Sequence, residues 1–566
     1  MSLRLALLIG LIASAISDSA SAADPARPRL LVLVYFDQFR GDYLARWSDQ
    51  LGKDGFQRLM RDGAWFQKCH YPYAYTVTAA GHASVATGCW PALHGVVGND
   101  WFERSVGKSV NCVGSDPHQQ VPVRTAEGDD SDEKKGAKGG VSPERLRKPT
   151  IADALKRATG GKGRVVSLSL KNRGAALPGG QTPDAAYWMD SGTGQFVTSD
   201  YYRPDLHKWV AEFNAENPAD KWRGTTWERL RSELDYTKLS GPDDSPGESN
   251  GASGQGRVFP HPFEPTDPKA KPAYFSALYA SPFGNELLLD LAVRAIGAED
   301  LGQDDVTDLL AISFSSNDAV GHAWGPDSHE VLDVTLRSDL VMQRLLKTLD
   351  EKVGAGRYVL AMSADHGVCP TPESSRRQGQ AAERVQPAPS AKVEEFLTGK
   401  YGKASKKWLQ AVSGPWIYLN PKSLAEANLK QPEVEAALAA WIKEQPGVRN
   451  VYTRTGLTAQ PADLDPIGEM VSKSFDPERC GDLYVLLQPY CLASAFNGTG
   501  TTHGSPWPYD THVPLLVYGT GVKAGVHEER VTPLAAAPIL ARAAGIDAPE
   551  GCVVPVPEGL FADQTP

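Results

Sequence analysis

Five short apolar runs set the limits on what this chain can become. They cover residues 30–36, 165–170, 309–314, 358–362 and 514–518, and each is nearly continuous rather than alternating. A strand covered on one face alternates apolar and polar residues, whereas an unbroken run reads as a parallel strand covered on both faces. Helical periodicity fills the gaps, for example at 151–158 and 331–342. Strand and helix in alternation predict an α/β architecture, a doubly wound, mostly parallel sheet sandwiched by helices.

In open sheets of this kind, ligands gather outside the carboxyl ends of the strands. Four polar residues fall there in the sequence. Asp37 follows the first run, Lys171 the second, Asp318 the third by a few residues, and Asp365 the fourth. His322 lies four residues after Asp318, the spacing that puts two side chains on one helical face. His366 adjoins Asp365, and His503 lies in the segment before the last run, so it must reach the same edge by a long connection. Six carboxylates and imidazoles without a thiolate suit a pair of zinc ions, three ligands to each, although manganese or cobalt accepts the same donors. Taken singly, each has a plainer reading: Asp–x–x–x–His is usually an exposed pair, and Asp at a strand end commonly caps a helix. It is their coincidence at one edge that carries weight.

Thr78 stands before a run of small residues, 79–86, with helical character. That puts its hydroxyl at a helix N-terminus, where the dipole favours a phosphate, and a metal could activate it as a nucleophile. The alternative is a threonine that merely caps the helix. Asn99, in Gly95-Val-Val-Gly-Asn99-Asp-Trp, offers an amide donor but also reads as a turn residue. Lys171 and Arg173 are an i,i+2 pair which, if extended, points two cations to one side; a solvated surface pair is the alternative.

At 566 residues the chain accommodates one large core with insertions. Stretches 124–141 and 240–271, rich in Gly, Ser, Pro and charge, read as flexible surface loops, and 390–489 as a small α+β cap over the active edge. A net charge of -10 argues against nucleic acid or an anionic membrane as a partner. Residues 1–22 have the charged, apolar and small-residue parts of a signal peptide, so 23–566 is the expected mature chain, periplasmic or secreted from a bacterium. No later apolar run reaches 18 residues and no cysteine marks a lipid attachment point, so no membrane anchor is expected. Seven cysteines leave at least one without an intrachain partner, and Cys480 and Cys491 are expected to bridge a short hairpin.

Together the motifs resemble the alkaline phosphatase superfamily, in particular the phosphate-irrepressible bacterial alkaline phosphatases with a threonine nucleophile. The resemblance runs in order through Tyr35-Phe-Asp37-Gln-Phe-Arg, Thr76-Val-Thr78-Ala-Ala-Gly-His, Asn99-Asp-Trp, Ser169-Leu-Lys171-Asn-Arg173, Asn317-Asp318-Ala-Val-Gly-His322, Ser363-Ala-Asp365-His366-Gly and Gly500-Thr-Thr-His503-Gly. It implies one zinc held by Asp318, His322 and His503, and a second by Asp37, Asp365 and His366 with Thr78 bound to it. It further implies hydrolysis of small-molecule phosphate monoesters, with broad specificity, through a phosphothreonine at position 78. Asn99, Lys171 and Arg173 would hold the phosphoryl oxygens, and a monomer is expected. Sulfatases fit poorly, because Cys89-Trp-Pro91-Ala-Leu93 has leucine where their maturation signal needs arginine. Nucleotide pyrophosphatase/phosphodiesterases share the ligands, the threonine and the asparagine; the Lys-x-Arg pair separates the two, since it would fill the space of a diester's second substituent. A serine nucleophile and an additional magnesium mark the classical alkaline phosphatases. A non-catalytic metal- or phosphate-binding descendant would be expected to have lost a ligand or the nucleophile, and none is missing.

Overall fold

Every residue of the strand β1 (Leu30–Phe36) is shielded from solvent, as its unbroken apolar sequence requires. In the computed structural model, which describes residues 27–123, 140–251, 254–263, 273–459, 464–493 and 499–562, this strand lies inside a ten-stranded sheet. The others in chain order are β2 (Ala64–Cys69), β3 (Gln120–Val121), β4 (Val165–Ser169), β5 (Ala185–Met189), β6 (Phe196–Ser199), β7 (Asp308–Phe314), β8 (Tyr358–Ser363), β9 (Leu515–Gly519) and β10 (Gly525–Val531). Their spatial order is β10-β2-β9-β8-β1-β7-β4-β5-β6-β3. The segment read as a signal peptide, and residues 124–139 of the first insertion, lie outside the described residues.

The centre of the sheet is parallel, and its register aligns the strand ends. Tyr35 pairs with both Ser313 and Ser363, and Ser313 with Ser169. Four strands therefore finish flush at one edge, and the residues that follow them are delivered together. Helices flank the sheet: α1 (Thr78–Thr87), α2 (Asn172–Gly179), α3 (Ser316–Trp324) and α4 (His329–Leu349) are those that bear on the site.

Two sequence expectations need correction. The run at 514–518 forms β9, but antiparallel to both β8 and β2. His503 already sits at the carboxyl edge only a few residues earlier, so the chain enters β9 from that edge and must run away from it. The second correction concerns Cys480 and Cys491, which are both free thiols. The segment between them is one strand, Leu483–Leu487, and not a hairpin, so the two cysteines sit at its opposite ends. At about 3.3 Å per residue that separates them far beyond disulfide reach. The described residues of 240–271 are largely irregular and mostly exposed or half-exposed, with Glu248 and His261 turned inward, His261 Nε2 lying 2.9 Å from Glu330 Oε1 on α4; residues 252–253 and 264–271 lie outside the described residues.

A second, antiparallel sheet lies in the chain between β8 and β9, in the order Leu409–Ser413, Trp416–Leu419, Leu483–Leu487, Val448–Thr453. Helices Ser390–Tyr401 and Gln431–Lys443 pack on it through Val393, Leu397, Val434, Leu438 and Ile442. Among the described residues no helix is long and apolar enough to cross a membrane.

Candidate active site

Thr78 is the first residue of α1, and the capping position belongs to Val77 with extended backbone. The Thr78 hydroxyl makes no capping bond and lies 3.3 Å from His366 Nε2, so it is free for chemistry. Gly81 explains how α1 comes so close: a Cβ there would stand 2.1 Å from the Asp365 carbonyl oxygen. The side-chain oxygen of Asn99 accepts from Ala79 N–H at 2.9 Å. Asn99 is thereby more than a turn residue: it is pinned to the first turn of α1, beside Thr78, with its NH₂ left to donate.

The structure brings Asp37, Asp365 and His366 together, with ligand atoms within 4.8 Å of one another, and likewise Asp318, His366 and His503. His366 belongs to both groups, so the two clusters are contiguous, and its ring stacks on His503 with centroids 3.4 Å apart. His322 stands one step aside, its Nε2 3.2 Å from Asp318 Oδ1, and both residues lie on α3 at the predicted i,i+4 spacing.

These residues fit metal ions. Each imidazole Nδ1 faces a backbone carbonyl: His322 that of Thr501 at 2.8 Å, His366 that of Gly367 at 2.9 Å, and His503 that of Thr76 at 2.8 Å. That fixes Nδ1 as the donor and leaves each Nε2 lone pair as a ligand. Burial depresses the pKa of His366, and burial with neighbouring His366 and His322 depresses that of His503 further. Both rings are thus neutral at neutral pH. Asp37 Oδ1 and Asp365 Oδ2 are buried without a hydrogen bond among the described residues. Three wholly or almost wholly buried carboxylates in one site call for positive charge, because isolated buried anions are very costly.

Part of that charge comes from Lys171, whose Nζ lies 2.6 Å from Asp37 Oδ2 and 2.6 Å from Asp318 Oδ2. Burial opposes its ionisation, but Asp318 and Asp37 hold the ammonium well above its ordinary pKa. Asp318 is likewise held well below the carboxylate range against its burial, by His322 and Lys171. Asp37, by contrast, is pushed up by burial and by the carboxylates of Asp318 and Asp365. The extended i,i+2 geometry expected for Lys171 and Arg173 does not occur. Lys171 precedes α2 with extended backbone, but Arg173 lies in the first turn of that helix. The small residues of 174–176 pack α2 against the sheet and α1, which winds the chain immediately after β4. Arg173 Nε is buried without a partner among the described residues.

Two further residues complete the site, and sequence reasoning had passed them over. Gln38 adopts φ 62°, donates Nε2–H to Asp318 Oδ1 at 2.7 Å and its backbone N–H to Asp365 Oδ1 at 3.0 Å. It thus bridges residues of the two clusters. Its amide needs Gly321 opposite, where a Cβ would meet Gln38 Oε1 at 1.8 Å. His82, one turn after Thr78, places Nδ1 2.8 Å from the Thr78 carbonyl oxygen and 3.3 Å from Asp365 Oδ2, and Nε2 2.7 Å from Ser313 Oγ. Its position four residues after Thr78 was the available signal; Gln38 had only its adjacency to Asp37.

Comparison with known proteins agrees with this geometry. The model of the family described as type I phosphodiesterase / nucleotide pyrophosphatase matches residues 31–506. The alkaline phosphatase PafA of Elizabethkingia meningoseptica is 34% identical over 531 residues, covering 93% of each chain. The alkaline phosphatase PhoV of Synechococcus elongatus is 33% identical, covering 93% of this chain and 92% of PhoV. The crystal structure of wild-type PafA superposes with a TM-score of 0.86 at 32% identity, covering 95% of this chain and 99% of that one. The chain belongs to the type I phosphodiesterase / nucleotide pyrophosphatase family, within the alkaline phosphatase superfamily.

Proposed function

We propose that this protein is a secreted or periplasmic bacterial alkaline phosphatase that hydrolyses phosphate monoesters with Thr78 as nucleophile. The observation that carries the reading is the cationic pair at the site: Lys171 is buried with Nζ 2.6 Å from both Asp37 and Asp318, and Arg173, half-buried, follows two residues later in the first turn of α2 with Nε lacking a partner among the described residues. PafA and PhoV, its relatives over nearly the whole length, are alkaline phosphatases. PafA has also been solved with a threonine, an asparagine, a lysine and an arginine replaced together, the four residue types assigned here to phosphoryl handling.

In the proposed reaction the Thr78 hydroxyl gives up its proton to solvent water, which returns one to the departing alkoxide, and Oγ attacks phosphorus. The P–O bond to the alcohol breaks, and the alcohol departs. Water then attacks the phosphothreonine, the P–Oγ bond breaks, and inorganic phosphate and free Thr78 are restored. Asp37, Asp365 and His366 on one side, and Asp318, His322 and His503 on the other, would hold two zinc ions. Bound there, zinc would supply Lewis-acid stabilisation of the Thr78 and leaving-group oxygens. Two of the three Lys171 N–H donors face Asp37 and Asp318, leaving the third for a phosphoryl oxygen. The Arg173 guanidinium and the Asn99 NH₂ supply the other donors. A monoester presents three non-bridging oxygens and a diester two, so the cations favour the monoester.

Diester hydrolysis is the second reading, because the matching family is described by that activity. Replacing Lys171 and Arg173 together by alanine separates the two. Two charge-assisted hydrogen bonds at about 1.5–3 kcal/mol each predict a loss of roughly a hundredfold or more in kcat/KM for a monoester. A diester should lose far less. Equal losses on both substrates would remove the pair from the specificity argument.

A further inference from the structure

A cavity of about 510 Å³ opens beside His503, between the active edge and the four-stranded cap. That volume lies within the roughly 300–1,000 Å³ of small-molecule sites. Its lining includes the strap 385–389, the cap strands through Ile417, Leu486 and Leu487, and the loop that carries His503 and Trp507. Ile417 and Leu486 are buried members of the cap's packed sheet, so this surface is preformed. Trp507 Nε1–H donates to the Leu487 carbonyl at 3.2 Å, tying the loop to the cap.

The lining also says what the cavity does not bind. Among the described residues no lysine or arginine contributes to it. Asp510, the carboxylate in the lining among the described residues, accepts the Ser505 N–H at 2.9 Å through Oδ2. A second phosphate or a sugar acid would find no cation there, whereas an uncharged apolar group would meet aliphatic and aromatic walls.

Position relates the cavity to the reacting centre. From Thr78 Oγ the path runs 3.3 Å to His366 Nε2, then to the His503 ring stacked upon it, and His503 borders the cavity. Phosphoryl transfer proceeds in line, so the alcohol leaves on the side away from the nucleophile. We infer that this cavity holds the alcohol portion of the ester and selects monoesters of apolar aryl or alkyl alcohols. The inference rests on the phosphatase reading and adds a substrate class to it. The cap sheet thereby contributes specificity, and the phosphoryl end is gripped by residues of the main sheet edge alone.

The test is binding rather than turnover. On zinc-loaded protein, dissociation constants are measured for inorganic phosphate and for methyl-, butyl- and octylphosphonate. The inference expects up to roughly fourfold tighter binding per methylene over the first several carbons. It expects that gain to be largely abolished in Leu487→Asp, with the phosphate constant unchanged. Val412 also lines the cavity and is 41% exposed, so Val412→Asp introduces charge without burying it and serves as a second variant should Leu487→Asp disturb the cap. A flat series in the unaltered protein, or an undiminished gain in a variant that still binds phosphate, would overturn the inference while leaving the phosphatase reading intact. Failure of phosphate and all three phosphonates to bind, with no monoester turnover, would overturn both.

Discussion

Gln38 offers the sharpest probe of how the two ligand clusters are held. Its side chain makes one bond that matters here, Nε2–H to Asp318 Oδ1 at 2.7 Å, and its backbone N–H makes another, to Asp365 Oδ1 at 3.0 Å. Gln38→Ala removes the first and keeps the second. A hydrogen bond to a charged group contributes about 1.5–3 kcal/mol, or roughly 10- to 150-fold in an equilibrium constant. Loss of a partner that orients a metal ligand typically weakens metal affinity about 10- to 100-fold, which agrees. The φ of 62° adds a control. A non-glycine residue in the left-handed region costs of the order of 1–3 kcal/mol, which Gln38→Gly relieves while losing the same side-chain bond. Competition against a chromophoric chelator should show one zinc weakened 10- to 100-fold in both variants, and the zinc on the Asp37, Asp365 and His366 side little changed. Unaltered affinity at both sites, or equal weakening at both, would refute the assignment of Gln38 to Asp318.

Gly81→Ala should push α1 off the Asp365 backbone, since the new Cβ falls 2.1 Å from a carbonyl oxygen with no flexible side chain to yield. A displacement near 1 Å at Thr78 predicts roughly a hundredfold lower kcat, measured beside the thermal midpoint to separate it from unfolding; wild-type kinetics would contradict it. His94 gives the pH dependence. Burial and nearby Arg479 lower its pKa to about 3, and its Nδ1 accepts from Val96 N–H at 3.1 Å. A histidine depressed in the folded state stabilises above its unfolded pKa, and this stability is lost as pH falls from about 6.5 toward 3. At pH 4.5 the loss is about 3 kcal/mol. Thermal midpoints at pH 7 and 4.5 should therefore fall further in the wild type than in His94→Gln, and equal falls would exclude His94 as the cause.

The sheet core was legible because burial on both faces leaves an unbroken apolar run, and the strand ends then located Asp37, Asp318 and Asp365. Direction was less so. An apolar run reads the same parallel or antiparallel, and only the nearness of His503 to β9 hinted that this strand turns back. At 171–173 the sequence permitted extended chain, and it is the packing of 174–176 against the sheet and α1 that winds a helix instead. Gln38 escaped notice since nothing in a glutamine signals positive φ. The Cys480–Cys491 pairing failed through treating a single strand as a hairpin, which separation along the chain cannot reveal. The cavity beside His503 is assembled from segments distant in the chain, each unremarkable alone, so it became visible only in three dimensions.

The central claim is that the site is built for a phosphate monoester. One zinc-loaded preparation, assayed on an aryl phosphate monoester and on the matching aryl diester, tests it most directly through the ratio of the two kcat/KM values. The account predicts a ratio far above one. A ratio well below one would make the protein a phosphodiesterase and leave the cationic pair Lys171 and Arg173 without a role.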